Sequence, residues 1–336
     1  MQQGTHLLPD GKTRVHLIGA EPFVERAHRL AERLHATPGG HELLAAADAA
    51  HTLIGFEFSL CADLESRGLF LFNHNAVLLN PSYDDDMGLI ALAHELTHMQ
   101  QNQNGIFSPP FKLSPLSFLR LTLAVEASAF AAHSQACFES SIVPQKKDHS
   151  IQAAFNSVAI SAPDSTQNGL AQLGAFLAFF MNAGRRASYE KDALEKYGHP
   201  VAPEQPVIDL PWPVLLYRLP LFRDHPGLLE NVATNTPFFQ GVCADSAREI
   251  ARLEAPWRAA SGLPERNLPI LPYTMEDAGN PDGFFNDMKH NVTASIGKWS
   301  YILRNGFFDL TANNMAVWTA IKARNGKNAP APRPSP

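Results

Sequence analysis

His94-Glu95-Leu96-Thr97-His98 is the stretch on which the reading of the whole chain turns. Residues four apart on an α-helix share a face, so His94 and His98 can aim both imidazoles at one metal ion. Glu95 projects from the same end of that face, where a carboxylate can hold a water beside the ion and take its proton. Chance is a poor explanation, because shuffling a chain of this composition yields roughly 0.03 such matches, most of them on segments that cannot be helical. The flanks predict a helix. Asp84, Asp85 and Asp86 offer an N-cap and negative charge for a first turn. Leu89, Ile90, Leu92, Ala93, Leu96 and Met99 make the following turns apolar, Gln100 to Gln103 mark the polar exit, and Gly105 suits the C-cap. An apolar, buried helix fixes the rotamers of its histidines by packing. The alternative is a core helix whose two histidines are hydrogen-bonded internally.

Two imidazoles leave a catalytic zinc one protein ligand short of the usual three. A second apolar helix, Leu116 to Phe138, carries Glu126 among Leu123, Ala124, Val125, Ala127, Ala129 and Phe130. A carboxylate in such surroundings is costly to bury unless it is paired or bound to a metal.

With His94, Glu95, His98 and the downstream Glu126 in view, the chain resembles the gluzincins, zinc metallopeptidases with an HExxH helix and a later glutamate ligand. More narrowly, it resembles the uncharacterised bacterial metallopeptidases of that group. The resemblance covers residues 50 to 140 or so. It implies that His94, His98 and Glu126 hold Zn2+, and that Glu95 is the general base. One departure stands out. Thermolysin-like members carry an Asp four residues after the glutamate ligand, bonded to a zinc-bound His, whereas this chain has Phe130. Support for that histidine must come from elsewhere. The metzincin extension is absent too, since Asn104 stands six residues past His98.

Other histidines are ambiguous. His133 lies seven residues after Glu126 and shares its helix face, as a partner to a ligand, a proton donor or an ordinary bonded histidine. His133, His290 and Tyr301 are the candidates for an oxyanion donor. His41-Glu42 begins an echo of the motif, but position 45 is Ala, so the pair receives no metal role here.

Before the central helix, Leu69 to Phe72 and Ala76 to Leu79 flank Asn73-His74-Asn75 and predict a β-hairpin. The resemblance implies that such a strand borders the active cleft and that peptide substrates pair with it. Further upstream the pattern predicts a strand over 14–18 and a helix over 22–35 stopped by Pro38-Gly39-Gly40. A second helix over 42–52 and a strand over 56–60 follow.

The expected class is α+β: a zincin-like unit over 1–143, with a small sheet and the HExxH helix, followed by a mainly helical region over 150–324. That region is either a second unit or part of the same fold. Residues 143–150 read as a polar linker and 325–336, with four prolines, as a disordered tail. Helix candidates are 151–160, 171–196, 228–234, 244–259 and 286–303, with proline-rich irregular stretches at 200–220 and 263–281.

The 336 residues suffice for a substantial core, and a formal charge of −6 gives no electrostatic reason to expect nucleic acid or anionic membrane as partner. The apolar run 173–181 is too short to cross a bilayer, and the N-terminus lacks the apolar core of a signal peptide. Cys61, Cys137 and Cys243 have neither disulfide nor metal spacing, which suits a reducing compartment. The expectation is a cytoplasmic protein, or one exported without an N-terminal signal peptide. Its partner is a protein or peptide substrate. The function expected is a zinc metallopeptidase. Its rivals are a catalytically silent zincin-fold binding protein and a zinc hydrolase acting on a non-peptide bond.

Overall fold

Three short apolar segments, Arg14–Gly19 (β2), Leu53–Phe56 (β3) and Ala76–Leu79 (β5), pair in parallel at the centre of a five-stranded sheet. Both outer strands are antiparallel to their neighbours: Gln2–Leu7 (β1) on β2, and Gly68–Leu71 (β4) on β5. The order is β1-β2-β3-β5-β4, so the second half of the β4–β5 hairpin lies inside the sheet and β4 lies at its edge. The hairpin has the expected position, with Gly68 opposite Leu79 and Leu71 opposite Ala76. Asn75 closes its turn at φ 46°, a left-handed conformation that asparagine tolerates better than most residues. The computed structural model describes residues 2–263 except 64–65, 108–111, 205–206, 211, 230–242 and 244.

Helices α1 (Glu21–His35) and α2 (Pro38–Ala49) cover one face of the sheet. Pro38 and Gly39 open α2 instead of merely ending α1. Thr37 accepts the Gly40 N–H as N-cap, and proline at the first helical position lacks only a donor that would be unpaired there anyway. The strand expected at 56–60 is shifted: β3 ends at Phe56, and Ser59–Asp63 is a short helix, α3. Glu57 accepts the N–H groups of Ser59 and Leu60, turning the chain out of the sheet.

Helix α4 (Asp85–Gln103) carries the central motif. Asp84 caps it by accepting the Met87 N–H at 2.8 Å, and Gly105 follows its end at φ +72°. Its residues are buried on every side, which explains why apolar positions are not confined to one stripe. Beside it runs α5 (Pro115–Glu139), capped by Ser114 and opened by Pro115. Two hydrophobic cores meet at α5. Leu17, Leu30, Ile54, Val77 and the apolar side chains of α4 form the first, to which α5 adds Ala136 and Cys137. The rest of α5 packs with Phe155, Phe176, Phe179 and Phe180 in the second. Among the described residues α5 is long and apolar enough to cross a membrane, yet 67% of that window is buried within the fold.

The second core is helical: α6 (His149–Ser161), α7 (Leu170–Met181) and α8 (Ala183–Tyr197). The continuous helix expected over 171–196 breaks at Asn182, which accepts the Arg185 N–H and starts α8 at a new angle. The stretch 143–150, expected as a polar linker, is largely exposed but is anchored at one point. It contains a 3-10 turn, Lys146–Asp148, and Asp148 is only 2% exposed between Arg67 and Arg185. Within 200–220 lie a two-residue strand, Val207–Ile208, and a short helix, Trp212–Leu216. Helix Ala247–Ala260 matches the candidate at 244–259. Most of the 228–234 candidate, the helix at 286–303 and the tail at 325–336 lie outside the described residues. The architecture is α+β, with a small mixed sheet and a predominance of helix.

Candidate metal centre

Helix geometry brings His94 and His98 to the face of α4 that looks onto α5. Their Nε2 atoms are 3.2 Å apart. From α5, Glu126 Oε2 lies 3.5 Å from His94 Nε2, and Glu126 Oε1 lies 3.6 Å from His98 Nε2. Ligands bound tetrahedrally at about 2.1 Å from one ion lie about 3.4 Å from one another, so the three spacings fit a common ion. The side chains are 12%, 11% and 16% exposed, packed enough to be fixed and open enough to be reached. Glu126 Oε2 is buried without a hydrogen-bond partner, which fits a carboxylate whose remaining lone pair awaits a cation.

Gln101 supplies what Phe130 cannot. It stands three residues after His98, fully buried, with Oε1 2.7 Å from His98 Nδ1. Its Nε2 donates to the Val125 carbonyl at 2.9 Å, next to Glu126. One amide thus orients a histidine and pins α4 to α5 at the level of the site. That bond leaves His98 Nδ1 as the protonated nitrogen, with the Nε2 lone pair free toward Glu126. Phe130 instead meets the His94 ring edge-on at 5.0 Å and stacks on Phe179 at 5.4 Å. His94 is held by packing.

Glu95 is buried between the cluster and the sheet edge, close enough to feel both His98 and Glu126, but is not one of the three clustered donors. Its carboxylate accepts the N–H of Phe70 on β4. Asn80 N–H donates to Arg67 O directly across the hairpin, so alternation turns the Phe70 N–H to the open side of β4. Gly68 permits this approach: a Cβ there would stand 2.9 Å from Glu95 Cγ. Burial pushes the Glu95 carboxyl up to about 7 against the pull of His98. Burial also acts on Glu126, but the His98 and His94 imidazoles and the Tyr189 hydroxyl outweigh it and hold that carboxyl below its ordinary range. Two carboxylates on neighbouring helices are therefore driven apart, one suited to proton exchange near neutrality and one to staying ionised.

Tyr189 was not legible in the sequence. It reaches the site from α8, with its hydroxyl directed at Glu126, and desolvation raises its pKa well above the usual value. It keeps its proton and can donate. His133 is buried beside Phe130, 6.3 Å from the His94 ring centre, and lies outside the donor cluster. Burial and the proximity of His94 push it down to about 3, so it stays neutral as a wall of the site. His290 and Tyr301 lie outside the described residues. Arg67, at the mouth of β4, and Arg185 on α8 share the Asp148 carboxylate, tying the edge strand to the helix that carries Tyr189.

Residues 18–204 match the model of a family described as "Putative metallopeptidase family (DUF6782)". No curated protein and no solved structure matches the chain. The match spans more than half of the chain and includes both α4 and α5, and the chain belongs to that family.

Proposed function

We propose that this member of a metallopeptidase family is a zinc-dependent peptidase of gluzincin type, with His94, His98 and Glu126 as zinc ligands and Glu95 as general base. The observation that carries this reading is the convergence of two Nε2 atoms and one carboxylate within 3.2–3.6 Å. Two imidazoles and a carboxylate are a donor set typical of catalytic zinc, which leaves a fourth position to solvent. When bound, zinc would lower the pKa of a coordinated water toward about 7 and polarise the scissile carbonyl.

The chain's own residues would do the remainder. Glu95 accepts the proton from the attacking water and later gives it to the leaving amine. Tyr189, protonated and close to Glu126, donates a hydrogen bond to the oxygen on which negative charge develops. An extended substrate backbone adds to the open edge of β4, antiparallel to its neighbour, as the resemblance implied. Gln101 holds His98 in the binding tautomer.

The reading is tested by incubating the zinc-loaded chain with a peptide library, beside His98→Ala, and following cleavage by mass spectrometry. Cleavage that a chelator abolishes and zinc restores is expected in the parent only. Cleavage that survives His98→Ala would sink the assignment. Tyr189→Phe should lower kcat by about 10²–10³-fold with zinc content unchanged, as for removal of one oxyanion donor. A loss of zinc instead would make Tyr189 a structural support of Glu126. Gln101→Ala should weaken zinc affinity by about 10–100-fold, measured by competition with a chelator, while activity recovers at saturating zinc.

A further inference from the structure

The His41-Glu42 pair lacks a histidine four residues on, but the fold supplies one from another helix. His35 closes α1 and His41 lies in the first turns of α2, and the bend between them brings the rings to 4.5 Å. His35 Nε2 lies 2.9 Å from His41 Nδ1 and 3.2 Å from Asp10 Oδ2. All three donor atoms fall within 4.8 Å of one another. Asp10 belongs to the turn between β1 and β2, which aims its carboxylate. Lys12 and Thr13 donate their N–H groups to Oδ1, each at 2.9 Å, and the Thr13 hydroxyl donates to Oδ2 at 2.7 Å.

Protons alone satisfy this arrangement poorly. If His35 Nε2 carries the hydrogen, one N–H must serve both Asp10 and His41. If His41 Nδ1 carries it instead, the His35 lone pair faces the Asp10 carboxylate. A cation between the three atoms meets every lone pair at once. The donor set, two imidazole nitrogens and a carboxylate oxygen, is one that first-row divalent ions of the zinc class accept. The carboxylate is also oriented by its own hydrogen bonds, as ligands in built metal sites are.

We propose that Asp10, His35 and His41 form a second metal site for a zinc-class divalent cation, separate from the one on α4 and α5. Its three ligands come from three chain segments, so the ion clamps the β1–β2 turn onto the corner between α1 and α2. Asp10 and His41 are exposed, and the ion enters directly from water with solvent completing its shell. The site carries no role in peptide cleavage, and its occupancy does not depend on the function proposed above.

The test is zinc per chain for the full-length protein, dialysed against micromolar free zinc and measured by plasma mass spectrometry. His41→Ala, His98→Ala and the double variant are measured beside the parent. His41 is exposed, so its replacement removes no packed side chain, and circular dichroism verifies the fold. The parent should hold two ions, each single variant one, and the double variant none. Equal zinc in the parent and His41→Ala overturns the second site and leaves a hydrogen-bonded relay. A loss of one ion in His41→Ala upholds it whatever His98→Ala does. Unchanged zinc in His98→Ala overturns only the reading of the central site. Asp10→Asn, whose amide oxygen can still accept the Lys12 and Thr13 N–H groups, should lower zinc affinity at the second site alone, and unaltered affinity there also counts against the proposal.

Discussion

Glu95→Gln should lose about 10²–10⁴-fold of peptidase activity while keeping its zinc. The substitution preserves shape, and the amide oxygen can still accept the Phe70 N–H that the carboxylate accepts now. What it removes is the ability to take a proton from water at neutral pH. Burial has raised the native carboxyl to about 7, so it binds and releases that proton with little bias in the range where peptidases work. No ligand in the three-donor cluster is touched, so zinc content and melting temperature should match the parent's. Turnover and zinc are to be measured on the same preparation. Near-parental turnover would mean that another base acts, and lost zinc would mean that Glu95 is structural.

Glu126→Ala should abolish zinc binding, and Glu139→Ala should leave it whole. Both glutamates lie on α5, but only Glu126 approaches the histidines. Glu139 accepts the Gly39 N–H at 3.1 Å and the Gln135 amide at 2.8 Å, at the helix's far end. The central site joins α4 to α5, so the ion should also stabilise the fold. Binding contributes roughly 4 kcal/mol when free metal is a thousandfold above its dissociation constant. Chelation should therefore lower the melting temperature of the parent and barely move that of a Glu126→Ala, His41→Ala double variant. Full zinc in Glu126→Ala, with loss in Glu139→Ala, would show that the wrong carboxylate has been named.

The parts of this molecule that a reader of the sequence can recover are those governed by spacing along one element. His94 to His98, the Asp84 cap and the hairpin at 68–79 each depend on residues a few positions apart, and each lies where its pattern predicts. Glu126 was legible because a lone carboxylate in an apolar helix needs a reason. Gln101 could have been found by the same arithmetic, since it stands three positions after His98. Its place in the run Gln100–Gln103 disguised it as the helix's polar exit. Tyr189 and Asp148 offered no such signal. One sits on a charged helix and the other in a stretch composed like a linker; the packing of α8 on α5 half-buries Tyr189, and Arg67 and Arg185 enclose Asp148. The histidines beside Asp10 are likewise 25 and more residues away. Contacts of that kind follow from tertiary packing, which local propensity does not encode.

Helix α5 also sets an order for the birth of the protein. It serves two cores, and the second is made from residues that follow it in the chain. A nascent chain that has emerged only to residue 148 presents a 25-residue helix, 18 residues of which have a mean hydropathy of 1.2, with α6 to α8 still unsynthesised. Such a segment satisfies the length and apolarity by which a bilayer span is recognised, and apolar surface of that kind favours aggregation until it is covered. The first core and α4 cover part of it, and the rest is covered when residues 149–197 arrive, the same residues that bring Tyr189 to the candidate site. The step that finishes covering the helix is thus the step that brings Tyr189 beside Glu126, after His94, His98 and Glu126 have already been made.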